Sequence, residues 1–220
     1  MDAATLTSLL WEGLLQTLYM TLVATLVAYV IGLPIGVSLI VTGPNGIKPV
    51  GWYNKVMGFI VNVIRSVPFL ILMIALMPYI RKVIGTGIGT SATTAALVVA
   101  AAPFVARMVE QSLLEVDPGV IEAAQAMGAS NFQIISKVML LEARPSLLNG
   151  AAVALITIFG YSAMAGSIGG GGLGDIAIRY GLYRFQPTIM WITVIIMIIL
   201  VQIMQEAGIK LAAKLDNRIN

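Results

Sequence analysis

The chain is expected to be an all-α polytopic membrane protein. It should have five transmembrane helices and one short cytoplasmic helix, with the N-terminus outside and the C-terminus inside. Three observations lead there. Hydrophobic residues make up 59% of the 220 and charged residues only 10%, where a soluble domain of this size carries about a quarter charged. Mean hydropathy is +0.95. Five separate runs are apolar and long enough to cross a bilayer core, which takes about 20 residues per helix. The breaks between them, "TGPNGIKP", "GTGIGT" and "GSIGGGGLGD" among them, are rich in the residues that end helices.

The first run spans about Leu14 to Val41, inside a charge-free interval bounded by Glu12 and Lys48. Gly32, Pro34 and Gly36 are expected to kink or thin it, as membrane helices tolerate. The start "MDAATLTSLLWEG" has no basic stretch, so this helix reads as an anchor that stays, with residues 1–12 as a short outer segment. The second run, about Val56 to Ile80, carries Arg65 and reads as a single span. The third covers about Gly89 to Val105, the fourth Leu147 to Ala165, and the fifth Thr188 to Ala207. A membrane domain of 13–207 and an inner tail of 208–220 follow.

With five spans the termini face opposite sides, and the basic residues choose which. If the N-terminus is outside, the inner segments hold Lys48, Lys55, Arg107, Lys137, Arg144, Lys210, Lys214 and Arg218. The outer ones hold Arg81, Lys82, Arg179 and Arg184. The excess of Lys and Arg on the inner side selects this orientation.

It also puts the longest connecting segment, about 107–145, in the cytoplasm. Asp117 before Pro118 is a helix start, an N-cap followed by a residue suited to the first helical position. A helix over Pro118 to Met127 places Val120, Ala123, Ala124 and Met127 on one face, and Gly128 stops it. Ser130 with Gln133 forms a capping box that opens a second helix toward Leu141. Pro145 separates that helix from the fourth span. The loop reads as helix, glycine elbow, helix.

Several functions are excluded by residue type. With no Cys and no His, the chain lacks a disulfide framework, a thiolate site and the commonest metal ligand. No metal or nucleic-acid site is expected. The glycine cluster "GSIGGGGLGD" has no following Lys-Ser/Thr and follows an apolar helix, so it is no phosphate loop; it reads as a flexible outer turn. No Asp or Glu lies deep within a span, as a proton- or sodium-coupled carrier usually requires. These residues describe a pathway without a motor.

Glu122-Ala123-Ala124 followed by Gly128 resembles the "EAA" signature of permease subunits in bacterial ABC importers. The family pattern continues with Ile-x-Leu-Pro, where this chain has Val138-Met139-Leu140-Leu141. The missing proline predicts a straighter second helix. "RSVPFLIL", "AAPFVARMVE" and "LITIFGYSAMAGSIGGGGLGDIAIRYG" are similar to the methionine-uptake permeases within that family. The resemblance covers about Gly13 to Ala207.

That resemblance implies an inner-membrane homodimer served by two cytoplasmic ATPases that bind the ATP and Mg, so that this chain needs no cofactor and is no enzyme. It also implies a periplasmic or lipid-anchored binding protein that delivers methionine, in its L- or D-form. Glu122, Ala123, Ala124, Met127 and Gly128 would form the contact with the ATPase. Met164, Tyr161 and Ser162, at the end of the fourth span, are the candidate pathway and gate residues, with Met164 as an apolar plug near the two-fold axis. Arg65, whose default is to snorkel toward water, and Pro68, a candidate helix breaker, are possible functional positions. Another amino acid or small organic ion as cargo, or an ion-coupled carrier working alone, are the alternatives.

Overall fold

The computed structural model describes residues 2–215. Arg218, counted among the inner basic residues, lies outside the described residues. Helix α1 (Ala3–Thr42) is followed by α2 (Gly51–Ser66), α3 (Phe69–Ile84) and α4 (Thr90–Leu114). The connecting elbow holds α5 (Pro118–Ala126) and α6 (131–142). Then come α7 (Arg144–Ala165), α8 (172–182) and α9 (Pro187–Leu215). Four runs are each long and apolar enough to cross a membrane: Ala4–Thr42, Thr90–Leu114, Arg144–Leu182 and Pro187–Lys210. The α2–α3 pair makes a fifth only if counted together.

That pair corrects the expectation of one second span. The two helices are bent by 105°, and the break sits at Val67–Pro68. Val67 is extended, with φ −83° and ψ 127°, because the ring of a following proline crowds a residue in the helical region. Pro68 also supplies no N–H to continue the ladder. The break thus falls immediately before Pro68, and Arg65 ends up in the last turn of α2.

The other ends also shift. Helix α1 starts at Ala3, so residues expected as an outer segment form its first turns. Helix α9 runs on to Leu215, through the start of the expected tail. Helix α4 continues past Val105 to Leu114, which places Arg107 inside the helix, not in the connecting loop.

Helix α4 is the centre of the fold. Of its apolar window 67% is buried, against 28% for α1 and 11% for α9. Its alanines at 92, 96, 101, 102 and 106 are buried, and small residues let membrane helices pack backbone to backbone, where no water drives them together. Helix α1 answers with glycines. A Cβ on Gly32 would lie 2.7 Å from the Ala102 carbonyl, and one on Gly36 would lie 2.5 Å from that of Ala106. Helix α1 stays continuous through Pro34, so this stretch thins the helix without breaking it.

The glycine-rich stretch is a turn, but a tightly built one. A short 3₁₀ turn, Gly166–Ile168, leads to α8, whose first amides are capped from α1. Gly172 N–H donates to Gln16 Oε1 at 2.8 Å, and Leu173 N–H to Thr17 Oγ1 at 2.9 Å. Thr17 is buried, 1% exposed. Thr17→Val keeps its shape and removes the acceptor, leaving a buried amide unpaired. We expect a loss of about 1–3 kcal/mol, read as a lower unfolding temperature in detergent, with Thr17→Ser close to wild type.

Candidate functional site

The elbow between α4 and α7 is built almost entirely by local chemistry. Asp117 Oδ1 accepts the Gly119 N–H at 2.7 Å, which caps α5, and Pro118 fills its first position. At the far end Gly128 takes φ +81°. Gly128 N–H donates to Gln125 O at 2.9 Å and Ala129 N–H to Ala124 O at 3.1 Å, the paired bonds of a Schellman stop. Two residues on, Ser130 N–H donates to Gln133 Oε1 at 2.8 Å and Gln133 N–H to Ser130 Oγ at 3.4 Å. This is the expected capping box.

The second helix departs from expectation. It is continuous from 131 to 142, yet its middle, Ile134–Met139, is one wide π-helical turn, so it is unbroken but not regular. Ala143 makes the turn into α7, with Pro145 in the first turn of that helix.

The structure separates the five elbow residues. Ala124 is 5% exposed and packs with the half-buried Ile121 against the body of the chain. Glu122, Ala123, Met127 and Gly128 are exposed. The expected single face is thus split: Val120, Ala123 and Met127 are free, and Ala124 anchors. Phe132, which the sequence reading missed, is 77% exposed, and Met127 82%. An aromatic just after a capping Ser, three residues before Ile135, reads from sequence as core; only the fold shows it bare. The elbow therefore carries three exposed large apolar side chains, Val120, Met127 and Phe132. Between its inner side and the α1–α2 loop lies a cleft of about 470 Å³, lined by Pro44, Gly46, Glu110, Ile121, Glu122 and Gln125, among others.

The pathway candidates separate too. Tyr161 is half-buried and stacks on Phe69 of α3, with ring centres 4.5 Å apart and planes 5° off parallel. Ser162 is buried, and its hydroxyl donates to the Phe159 carbonyl at 2.7 Å, so it is committed to its own helix. Met164 is 54% exposed on the outer surface of α7. Arg65 is exposed, its guanidinium 6.0 Å from the centre of the Phe104 ring, and forms no ion pair among the described residues. At the opposite end of the fold Arg179 pairs with Asp175 over a cleft of about 380 Å³ that Glu12 and Gln16 also line.

An apolar helical bundle whose longest connection is an exposed, capped elbow defines a class: a polytopic membrane protein. The chain belongs to the family of binding-protein-dependent transport system inner membrane components, which it matches over residues 28–206. It is 49% identical over 203 residues to a probable D-methionine transport system permease protein MetI of Vibrio cholerae, covering 92% of this chain and 90% of that one. It is 44% identical over 209 residues to the methionine import system permease protein MetP of Bacillus subtilis, covering 95% and 94%. Among solved structures, a chain of the MetNI methionine ABC transporter in an inward-facing conformation superposes with a TM-score of 0.96 at 44% identity, over 99% of this chain and 100% of that one. A chain of an amino acid ABC transporter superposes with a TM-score of 0.74 at 23% identity, over 98% of this chain and 96% of that one, which speaks for the fold alone. The chain is thus an inner-membrane permease component, and the resemblance carried by "EAA" and "GYSAM" led to the right family.

Proposed function

We propose that this chain is the membrane subunit of an ATP-driven importer of methionine. Two copies line the pathway with N-termini outside, and each elbow is gripped by a cytoplasmic ATPase that binds the ATP and Mg. A periplasmic or lipid-anchored binding protein hands over L- or D-methionine. The observation that carries this reading is the near-complete superposition on a chain of the MetNI transporter, with a TM-score of 0.96. The bare elbow supports it: Val120, Met127 and Phe132 are large apolar side chains, exposed outside any span, as an interface needs and a free loop does not.

Within that assembly Glu122 accepts hydrogen bonds from the ATPase, and Met127 with Ala123 fills its cleft. Met164, exposed near the end of the fourth span, meets its own copy as an apolar gate, and Tyr161 buttresses that helix against α3. The expected membrane domain of 13–207 belongs to the same proposal, with its cytoplasmic loop shortened to 115–143 by the length of α4 and the start of α7.

The test is uptake of labelled L- and D-methionine into vesicles holding this chain, its ATPase and its binding protein. Uptake should need internal ATP and fail in a Met127→Asp/Phe132→Asp double variant, which places two charges on the gripped face. Uptake driven by an ion gradient without ATP would refute the reading. ATP-dependent uptake of another amino acid in preference to methionine would move the cargo.

A further inference from the structure

Arg107 stands where an arginine is expensive. It lies within a helix long and apolar enough to be a span, and its side chain is only 22% exposed. A guanidinium so placed is tolerated when it finds partners, and here the partners lie on two helices. Nη1 is paired with Glu110 of its own helix α4. Nη2 donates across to α2, to Asn62 Oδ1 at 2.9 Å and to the Gly58 carbonyl at 3.3 Å. Only Nε is left buried and unpartnered.

The contact matters because of what α2 lacks. Among its 16 residues Val61 alone is a buried side chain, so apolar packing barely holds it. Polar ties do. Asn54 Nδ2 donates to the Leu39 carbonyl at 2.6 Å and Tyr53 O–H to Ser38 Oγ at 3.1 Å, both at the start of α2 and both to α1. Arg107 is the hydrogen-bonded tie to its middle, and at its outgoing end the Arg65 guanidinium lies over the Phe104 ring of α4. A planar guanidinium suits this task, since its donors fork in fixed directions.

The other end of the same network faces the elbow. Glu110 lines the cleft whose far wall is Ile121, Glu122 and Gln125. Helix α4 itself runs one turn further, to Leu114, before the buried Val116 and the Asp117 cap lead into α5. A displacement of α5 therefore reaches Arg107 through the helix that carries it, and Arg107 is bolted to the first half of the broken span.

We propose that Arg107 is a positioning residue: with Glu110 and Asn62 it latches α2 to α4, so that motion of the elbow moves the bent α2–α3 pair. It thereby sets how many ATP are hydrolysed per substrate moved. The inference rests on the importer reading above, and its test separates the two.

The natural absence of cysteine allows spin labels to be placed on the exposed Phe59→Cys of α2 and Val99→Cys of α4. The complete complex, with ATPase and binding protein, is then compared among wild type, Arg107→Gln, Asn62→Leu and Asn62→Asp. In wild type and Asn62→Asp, which keeps an acceptor, the distance distribution should be narrow. In Arg107→Gln and Asn62→Leu it should broaden, and the ATP hydrolysed per methionine transported should rise at least about five-fold, the low end of ordinary coupling energies. Asn62→Leu leaves the Arg107–Glu110 pair in place, so it reports even if Arg107→Gln folds poorly. A narrow distribution in both disabling variants overturns the latch whatever the cargo. Broadening with an unchanged ATP-to-methionine ratio overturns its coupling role. Absence of methionine uptake in wild type counts against the importer reading, and the spin-label distances still decide the latch.

Discussion

Gly128→Val is expected to strip the ATPase from the purified complex while leaving the membrane subunit folded. Gly128 holds φ +81°, and no heavy atom lies within 4 Å of where a Cβ would sit. The demand is thus on the backbone alone. A residue with a Cβ in the left-handed region costs about 1–2 kcal/mol, and a β-branched one resists it further. Valine at this position trades the two Schellman bonds for a different turn and swings α5 away from α6. Because the elbow's capping hydrogen bonds all fall inside 117–133, the change stays local and the spans do not sense it. If two elbows serve one assembly, the penalty is incurred twice, and each 1.4 kcal/mol is a tenfold loss of affinity. Gly128→Ala should lose less, since nothing crowds its methyl. Co-purification and size-exclusion stoichiometry check this; an ATPase bound at full stoichiometry to the valine variant would contradict it.

The second large effect is on folding. Gly36→Leu should give no monodisperse protein in detergent. Its Cβ would lie 2.5 Å from the Ala106 carbonyl and 2.7 Å from Val109 Cβ. The first of these is backbone of the most buried helix, which has no rotamer to yield. Even Gly36→Ala must move α1 off α4, and overpacking of this kind costs about 1–3 kcal/mol. Leucine adds three more carbons to the same contact. The measurement is thermal unfolding in detergent, with Pro34→Ala as the contrast. Pro34 is exposed within an unbroken helix, so its replacement should not lower stability. An alanine at 36 that unfolds at the wild-type temperature would show that the two helices have slack.

What the sequence disclosed was set by distance along the chain. The elbow was legible because each of its signals acts within three or four residues: Asp117 on Gly119, Gly128 on its own φ, Ser130 on Gln133. The spans were legible because the bilayer demands length and apolarity, which are local sums. Three things were hidden. The break at Val67–Pro68 sits inside an apolar run long enough for one span, and only the helices on either side reveal a sharp bend. Helix α4 was cut short at Val105 because Arg107 lowers the local hydropathy, whereas the partners that keep it helical lie 45 and 49 positions earlier. The glycine-rich turn read as loose because its caps, Gln16 and Thr17, are 156 positions away. The split between Ala124 and its neighbours, and the turning of Ser162 into its own helix, have the same cause: which side of a helix is covered depends on what the rest of the chain brings to it.

The wide turn at Ile134–Met139 has a consequence for how such chains change over time. A π-helical turn is an α-helix that has taken in one extra residue and absorbed it locally. Losing one amino acid there would tighten the coil to an ordinary pitch and leave the segments before and after in their places. Along the regular α-helical stretches, a single-codon deletion would rotate everything downstream by about 100°. The stretch from Ile134 to Met139 is thus a tolerance joint, where the gene can shorten by one codon without unsettling the parts on either side.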